Sequence, residues 1–321
     1  MSKNIIITGG TGSFGKKFVE HCLLNNLYKK VVIYSRDEMK QWEMNNKFRD
    51  KRLEFIIGDI RDKNRLENSL YNIDHVLHCA ATKIVPTAEY NPIECIKTNI
   101  LGAANLIECV QNTSIKKVVA LSTDKASNPI NLYGASKLAS DKLFIAANSE
   151  ILKNKFSVVR YGNVLNSRGS VVPFFKSIPK NQPIPITDTN MTRFLITFKD
   201  AILQVTHAFK DMVGGEIYVK KLPSVKITDI AKAIRPNSKF KIIGIRPGEK
   251  IHEQMISSDE SHYTYEYPDY YKILPSLFGW NTDKKRIKKG KKVKDRFEYI
   301  SSVNNNWLNI NEIIKWINLH S

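Results

Sequence analysis

The segment LSTDKASNPINLYGASK, residues 121–137, contains the side chains best suited to chemistry. Tyr133 and Lys137 are four positions apart, which places both on one face of a helix. A neighbouring ammonium stabilises tyrosinate, so the phenol can act as a base near neutral pH. Thr123 stands at the end of a predicted strand, where it can hold a substrate hydroxyl. Together the three residues are sufficient for redox chemistry on an alcohol.

Asp124 and Lys125 directly follow Thr123, and simple redox chemistry needs neither of them. A carboxyl group and an amine at this point can supply a second proton donor and a second proton acceptor. The alternative interpretation is an Asp–Lys pair on a surface turn.

A glycine-rich loop, TGGTGSFGKKF at residues 8–18, follows the first predicted strand and precedes a helix. Gly9, Gly12 and Gly15 permit a tight turn and close approach to a pyrophosphate, which the helix N-terminus attracts through its free N–H groups. The loop therefore predicts a dinucleotide cofactor. We expect further cofactor contacts from a wider set of residues, namely Thr11, Ser13, Phe14, Lys40, Ile60, Ala80, Lys83, Thr98, Tyr133, Lys137 and Val164.

The tip of the second predicted strand bears on the choice of cofactor. Ser35 and Arg36 occupy the position where an acidic residue would bind a free ribose 2′-hydroxyl. A cation there suits a 2′-phosphate and can stack on adenine, which favours NADP over NAD. Asp37 is the next residue, and its carboxylate could bind a free ribose hydroxyl, so NAD remains the alternative cofactor. Asp59, after the third predicted strand, can accept from the adenine amino group or cap a helix.

Short β-branched segments alternate with helical patterns through the first 160 residues. The predicted strands are Ile5–Thr8, Val31–Tyr34, Glu54–Ile57, His75–His78, Val118–Leu121 and Ser157–Arg160. Continuous apolar strands between amphipathic helices indicate an α/β fold with a doubly wound parallel (Rossmann) sheet. We expect residues 1–164 and about 194–223 to form the cofactor-binding domain. The remainder, about 165–193 and 224–321, should form a smaller C-terminal substrate domain.

The composition excludes several classes of protein. No apolar run approaches the ~20 residues that span a bilayer, and the N-terminus does not resemble a signal peptide. The four cysteines lack Cys-x-x-Cys spacing, so we expect reduced thiols, no metal site and a cytoplasmic location. The formal charge of +19 admits a nucleic-acid binder, but no recognised nucleic-acid motif accompanies it. Much of the excess lies in KKRIKKGKKVKDR, residues 284–296, which predicts a solvated basic loop or a surface that attracts anions.

The chain resembles the extended short-chain dehydrogenases/reductases, and within them the inverting UDP-N-acetylglucosamine 4,6-dehydratases. The matching blocks include ITGGTGSFGKK, YSRDEMKQ, FIIGDIRDKNRL, AEYNPIECIKTNI, LSTDKASNPINLYGASKLASDKLF, RYGNVLNSRGSVVPFF, PITDTNMTRF and IIGIRPGEKIHEQMI. They run from residue 5 to about residue 256. The resemblance implies a lyase that also inverts C5, uses an internal NADP hydride shuttle, forms a homo-oligomer and opens pseudaminic acid biosynthesis for surface glycans such as those of flagellin.

The resemblance also gives roles to the two residues that redox chemistry leaves unexplained. Oxidation at C4 makes the C5 proton acidic, and dehydration then needs a base at C5 and an acid at C6. Lys125 is implied as the base and Asp124 as the acid. These roles require a lowered pKa for Lys125 and a raised pKa for Asp124, against the mutual effect of the two charges. Burial of the pair, or a shared proton, would have to provide this.

Substrate contacts follow from the same resemblance, because arginines and backbone amides suit a nucleoside diphosphate. The implied residues are Lys83, Asn163, Arg168, Gly169, Ser170, Val171, Val172, Arg193, Arg246 and Glu249. For Arg193 a structural salt bridge is the alternative. Ile84 departs from the polar residue usual after the family's lysine, and Thr82 is also unusual, which bears on substrate choice.

Other functions remain open at this stage. A retaining 4,6-dehydratase or a UDP-sugar 4-epimerase would use the same scaffold, although the retaining relatives usually have a methionine where this chain has Tyr133. A non-catalytic NADP-sensing or nucleic-acid-binding protein is the alternative of another class. The intact proton-transfer set argues against that alternative, because a sensor has no use for it.

Overall fold

A computed structural model describes residues 3–148 and 153–319. The strands are β1 Asn4–Thr8, β2 Lys30–Ser35, β3 Leu53–Ile57, β4 His75–His78, β5 Lys117–Thr123, β6 Lys155–Tyr161, β7 Asn163–Val164, β8 Ile184–Ile186, β9 Thr192–Ile196, β10 Ile217–Lys220, β11 Ser224–Lys226, β12 Phe240–Ile242, β13 Gln254–Ile256, β14 Thr264–Glu266, β15 Tyr270–Ile273, β16 Lys291–Lys292 and β17 Tyr299–Ile300. The α-helices are α1 Ser13–Leu24, α2 Glu38–Phe48, α3 Lys63–Ser69, α4 Val85–Tyr90, α5 Pro92–Ile96, α6 Gly102–Gln111, α7 Leu132–Ala146, α8 Val171–Ser177, α9 Phe198–Asp211, α10 Ile227–Ile234, α11 Lys284–Ile287 and α12 Ile310–Leu319.

The main sheet has ten strands in the order β16-β14-β15-β10-β6-β5-β4-β1-β2-β3. All pairs from β3 to β10 are parallel. Their apolar side chains are buried on both faces because helices cover the sheet from either side. The predicted α/β doubly wound fold is therefore confirmed. The strand order reverses between β1 and β4, and ligands of such sheets bind in the crevice at this point.

The edge of the sheet beyond β10 is antiparallel. β15 pairs with β10, and β14 and β16 continue outward. These strands come from residues 264–292, which the sequence assigned to the smaller domain. A separate apolar cluster does form from α8, β8, β9, α10 and α12. The division into two domains at the expected boundaries stays a prediction, but the sheet itself extends past them.

The basic segment 284–296 is more than a solvated loop. Arg286 is 6% exposed, donates Nε to the Gly214 carbonyl at 2.9 Å and stacks 3.9 Å from the centre of the Trp280 ring. Lys288 pairs with Asp211 at the end of α9. The expectation of a solvated loop was wrong for Arg286, which is buried and fastens the antiparallel edge to the sheet, whereas Lys288 stays 44% exposed while it pairs with Asp211.

The predicted helix from Thr98 to Gln111 begins differently from the expectation. Lys97–Leu101 forms a π-helical turn, and α6 follows it. Within this turn the buried Asn99 side chain binds the backbone carbonyl of Thr82 and the hydroxyl of Ser136. A widened turn of this kind is frequent at functional sites, where it re-aims a side chain. Among the described residues, no helix is long and apolar enough to cross a membrane.

A buried ion cluster joins the sheet to the C-terminal part of the chain. Arg160 on β6 is fully buried, and its guanidinium lies 3.8 Å from the Asp141 carboxylate on α7 and 2.9 Å from Glu260. It also donates to the Met255 carbonyl at 2.8 Å. Removing one member of such a cluster leaves the others charged and unpaired in a medium that solvates them poorly.

We expect Arg160→Met to reduce the free energy of unfolding by about 3–5 kcal/mol, because two carboxylates lose their cation. Urea denaturation measures this change. Lys30→Ala is the control, since it breaks an exposed pair with Glu54 that contributes about 0–1 kcal/mol. An Arg160→Met protein as stable as the control would show that the cluster does not stabilise the fold.

Candidate active site

A cleft of about 1410 Å³ opens above the carboxyl ends of the parallel strands. Sites for one small ligand measure about 300–1,000 Å³, so this cleft has room for two ligands side by side. The structure brings together every residue of the predicted cofactor, catalytic and substrate sets along this cleft, with one exception. Val172 does not line it. The Val172 side chain is 1% exposed and packs into the C-terminal apolar cluster, because α8 turns it away from Val171.

The glycine loop between β1 and α1 has the close approach that its sequence predicts. Gly9 adopts φ +67°, and a Cβ there would lie 2.8 Å from the Ala80 backbone nitrogen. A Cβ on Gly15 would lie 2.5 Å from the Gly10 carbonyl oxygen. Helix α1 begins at Ser13 without a side-chain cap, so its first N–H groups remain available to an anion.

The tips of β2 and β3 place two cations at one end of the cleft. The Arg36 side chain is 61% exposed, with Nη1 3.7 Å from Asp59 Oδ2. The Asp37 carboxylate accepts from the Lys40 backbone N–H at 3.0 Å and so caps α2. The Lys40 ammonium pairs with the same carboxylate, and Arg36, Asp37 and Lys40 all line the cleft, with the Arg36 side chain the most exposed of the three.

Asp59 is held by Arg61, whose side chain donates to both carboxylate oxygens. The alternative in which Asp59 caps the next helix was wrong, because Asp62 occupies the cap of α3 and accepts from the Arg65 N–H. Burial tends to raise the pKa of Asp59, but the hydrogen bonds from Arg61 outweigh it and lower the pKa below its ordinary value. Asp59 thus stays a carboxylate that can accept from a ligand.

The catalytic residues lie where β5 ends. Thr123 is its last residue, and Asp124–Ala126 form a single 3₁₀ turn. The Thr123 hydroxyl donates to Asp124 Oδ1 at 2.9 Å, and Lys125 Nζ donates to the same oxygen at 3.0 Å. Asp124 is 1% exposed. The interpretation of Asp124 and Lys125 as a surface pair is therefore wrong.

Helix α7 lies directly against this turn. The Asn131 side chain accepts from the Gly134 N–H at 2.7 Å and caps the helix just before Tyr133. A Cβ at Gly134 would lie 2.3 Å from the Lys125 carbonyl oxygen, so only glycine permits the approach. The cap and the glycine together place the Tyr133 phenol beside the Asp124–Lys125 turn.

Glu253 is a site residue that the sequence did not indicate. It immediately precedes β13, is 1% exposed, and its Oε1 lies 2.9 Å from Lys125 Nζ. The Arg193 guanidinium lies 3.7 Å from the same oxygen. No spacing rule links a residue near 250 to a turn at 125. The one available signal was a glutamate in KIHEQMI with an apolar residue two positions before it and another two positions after it.

The electrostatics of the site differ from the expectation at Lys125. Burial tends to lower the pKa of the Lys125 ammonium, but the carboxylates of Asp124 and Glu253 outweigh it and raise the pKa above its ordinary value. The expected lowered pKa was therefore wrong for the chain without ligands. The physical reason is the charge of both carboxylates, first Asp124 and then Glu253, and the sequence had placed only Asp124 there.

Tyr133 and Lys137 also carry shifted pKa values. Burial raises the pKa of Tyr133 to about 12, while the Lys125 ammonium and a hydrogen bond with Thr123 act in the opposite direction. The Lys125 ammonium is thus a cation that favours tyrosinate here. Burial lowers the pKa of Lys137, opposed by the nearby Asp141 carboxylate.

The predicted substrate residues fall into two groups by their contacts. Arg193 is 7% exposed, and its guanidinium donates to the backbone carbonyls of Thr192, Lys250 and Ile251, which supports the structural alternative for this residue. Arg246 is 59% exposed in its side chain and forms a two-pronged pair with Glu249. Arg246 is accordingly the more accessible cation of the two.

The fold and the Thr123, Tyr133 and Lys137 set define an extended short-chain dehydrogenase/reductase. The chain belongs to the family described as polysaccharide biosynthesis protein, whose model matches residues 5–275.

The similar proteins agree with this assignment. A "UDP-N-acetylglucosamine 4,6-dehydratase (inverting)" of Campylobacter jejuni subsp. jejuni serotype O:23/36 (strain 81-176) is 54% identical over 98% of this chain and 97% of its own length. A "UDP-glucose 4-epimerase" of Rickettsia bellii (strain OSU 85-389) is 40% identical over 98% and 94%. The X-ray structure of Pen from Bacillus thuringiensis superposes with a TM-score of 0.89 at 36% identity, covering 99% of this chain and 98% of that one.

Proposed function

We propose that the chain is an inverting UDP-N-acetylglucosamine 4,6-dehydratase. Its product would be UDP-2-acetamido-2,6-dideoxy-β-L-arabino-hexos-4-ulose. The observation that carries the proposal is the buried Asp124–Lys125 pair beside Tyr133, because an epimerase or a reductase has no step that needs it. The 54% identity to curated enzymes of that name over nearly the full chain supports the same reaction.

The residues at the glycine loop fit a dinucleotide cofactor. The loop is so tight that a Cβ at Gly9 or Gly15 would meet backbone atoms, and this closeness is what a pyrophosphate on a helix N-terminus requires. Two cations, Arg36 and Lys40, stand at the far end, where the Asp37 carboxylate caps α2 and pairs with Lys40, so that Arg36 is the cation not held by Asp37. This arrangement supports NADP over NAD. These residues would hold the cofactor so that its nicotinamide would supply a hydride acceptor for C4 and a hydride donor for C6.

The residues of the chain divide the remaining work at C4. Tyr133 takes the proton of the C4 hydroxyl, and the adjacent Lys125 ammonium favours its phenolate form. Thr123 lies within hydrogen-bond reach of Tyr133 and orients the hydroxyl. Lys137 is buried one helical turn beyond Tyr133 and holds the ribose of the cofactor.

Dehydration requires an amine base and a carboxylic acid, whereas Lys125 and Asp124 form an ion pair of an ammonium and a carboxylate. One proton transfer along the 3.0 Å hydrogen bond from Lys125 Nζ to Asp124 Oδ1 converts both at once. Lys125 then takes the C5 proton, and Asp124 protonates the departing C6 oxygen. Inversion follows when the Lys125 ammonium formed in this step returns a proton to C5 on the opposite face of the sugar.

The nucleotide part of the substrate would lie across the C-terminal side of the cleft. Asn163, Arg168, Gly169, Ser170 and Val171 line this side, together with Lys83. Arg246 can contact the diphosphate, with Glu249 holding its guanidinium in place. Lys83 donates to the Arg168 carbonyl at 2.9 Å and so fixes the edge of this surface.

The resemblance further supports a cytoplasmic homo-oligomer that acts at the start of pseudaminic acid biosynthesis. The alternative of a non-catalytic NADP sensor or nucleic-acid binder is disfavoured by the buried proton-transfer set. In the basic segment 284–296, which admitted a nucleic-acid binder, Arg286 and Lys288 contact other parts of the fold, namely the Gly214 carbonyl and the Asp211 carboxylate.

The reaction in deuterium oxide tests the proposal directly. With UDP-N-acetylglucosamine and NADP, we expect a 4-keto-6-deoxy product of L-arabino configuration that carries deuterium at C5. NMR of the reaction mixture identifies both the configuration and the deuterium. The deuterium enters because the C5 proton exchanges through Lys125. A D-xylo product would mean retention, and simple inversion at C4 would mean an epimerase.

The cofactor preference has its own test. We expect Arg36→Ala to weaken NADP binding about 10-fold or more while NAD binding changes little, because one charged contact to the 2′-phosphate is lost. Isothermal titration with both cofactors measures the two dissociation constants. Lys47→Ala removes an exposed cation from the same helix region and is the control. Equal losses for both cofactors, or tighter NAD binding by the parent chain, would contradict NADP.

A further inference from the structure

Glu253 is unusual among the cleft residues because it is a buried carboxylate that contacts a catalytic group from a distant part of the chain. Its Oε1 lies 2.9 Å from Lys125 Nζ, and Asp124 Oδ1 contacts the same nitrogen at 3.0 Å. The side chain is 1% exposed and lines the cleft. Removing a carboxylate from water is unfavourable, and the buried state is stable only when the carboxylate's partners offset the lost hydration.

The backbone around Glu253 holds this carboxylate in a defined position. The Glu253 N–H donates to the Ser301 hydroxyl at 2.9 Å, and the Ser301 N–H donates to the Glu253 carbonyl at 2.8 Å. Lys250, three residues earlier, donates its Nζ to the Ser127 carbonyl at 3.0 Å and ties the segment to the catalytic turn. The carboxylate is therefore fixed from both sides relative to Lys125.

We propose that Glu253 is a positioning residue for the dehydration, which fixes the Lys125 amine between two carboxylates and aims it at C5 of the sugar. This inference rests on the proposed function. Once Lys125 has given a proton to Asp124, the neutral amine can still donate an N–H to Glu253 Oε1. Its lone pair must then point away from Glu253, and this is the orientation a base needs toward the substrate.

The second oxygen of Glu253 supports a role in the cleft. Oε2 is buried and has no hydrogen-bond partner within the described part of the chain. Asp124 Oδ2 is in the same state. Buried acceptors are normally paired, so the two free oxygens mark a place where a hydroxyl of a bound ligand can donate.

The charges around Lys125 set its protonation and come from several elements. The anions are Asp124 from the same turn and Glu253 from the segment before β13. The cations are Arg193 on β9 and Lys250, and the phenol of Tyr133 on α7 also faces Lys125. Glu253 is one of the two anions in this group, and it favours the ammonium. Removing its charge therefore lowers the pKa of Lys125.

The test compares Glu253→Gln with the parent chain, using Glu298→Gln as the matched control. Glu298 is exposed and accepts from Gln254 at 2.9 Å, so its substitution removes a neighbouring carboxylate that does not contact Lys125. We expect kcat of Glu253→Gln to fall about 100-fold, as for a misplaced catalytic group, with KM for the nucleotide sugar unchanged. Glu298→Gln should match the parent chain in both.

The pH dependence separates positioning from a merely structural role. The pair needs its one shared proton, because Asp124 must receive it from Lys125 before it can protonate C6, so kcat/KM falls as pH rises and Lys125 loses that proton to solvent. Since Glu253 raises the pKa of Lys125, Glu253→Gln should move this falling limb to lower pH by about one to three pH units. NMR titration of 13Cε-labelled lysine should show the same downward shift for Lys125 without any turnover. An unshifted Lys125 titration, or a kcat equal to that of the parent chain, overturns the proposal.

A second variant covers the case in which Glu253→Gln does not fold. Glu253→Asp keeps the charge but withdraws it from Lys125, so we expect a reduced kcat with a pH profile near that of the parent chain. A Glu253→Asp protein with the parent kcat would equally overturn the inference. If the parent chain itself forms no dehydrated product, the proposed function fails, and the NMR titration still reports whether Glu253 governs Lys125.

Discussion

The Lys125 ammonium between two buried carboxylates is the interaction on which the site depends. Asp124 and Glu253 each approach Nζ to about hydrogen-bond length, and both are 1% exposed. Three charges at this density are stable only when water is excluded and partners are fixed. The same arrangement stores a proton that can move to Asp124 along an existing hydrogen bond. Both the stability of the three charges and the proton transfer therefore require a fold that excludes water and fixes these side chains.

The scaffold meets this demand by joining distant segments at one edge of the sheet. β5 brings Thr123 and the turn, α7 brings Tyr133, and the segment before β13 brings Glu253. The glycine loop lies in the same cleft, so the cofactor and the proton-transfer set face one volume. Redox at C4 and dehydration across C5 and C6 can therefore occur without moving the sugar between sites.

The sequence predicted the parts of the structure that local patterns determine. The parallel strands follow from β-branched segments, and the Tyr133–Lys137 spacing follows from a helical turn. Contacts between distant segments leave no such pattern. Glu253 was missed and the Lys125 pKa was predicted in the wrong direction, because both depend on residues 128 positions apart meeting in space. Likewise Val172 was misplaced, since block similarity does not tell which side of a short helix faces the cleft.

The central claim is that Asp124 and Lys125 extend a redox site to dehydration. Lys125→Ala tests it most directly, because it removes the C5 base and leaves Thr123, Tyr133 and the cofactor loop in place. Oxidation at C4 slows in this variant, since the Lys125 ammonium no longer favours the Tyr133 phenolate. With bound NADP and added UDP-N-acetylglucosamine, the account predicts that reduced nicotinamide accumulates by absorbance while no 6-deoxy product forms. Continued formation of the 6-deoxy product, or loss of bound cofactor from the variant, would contradict the account.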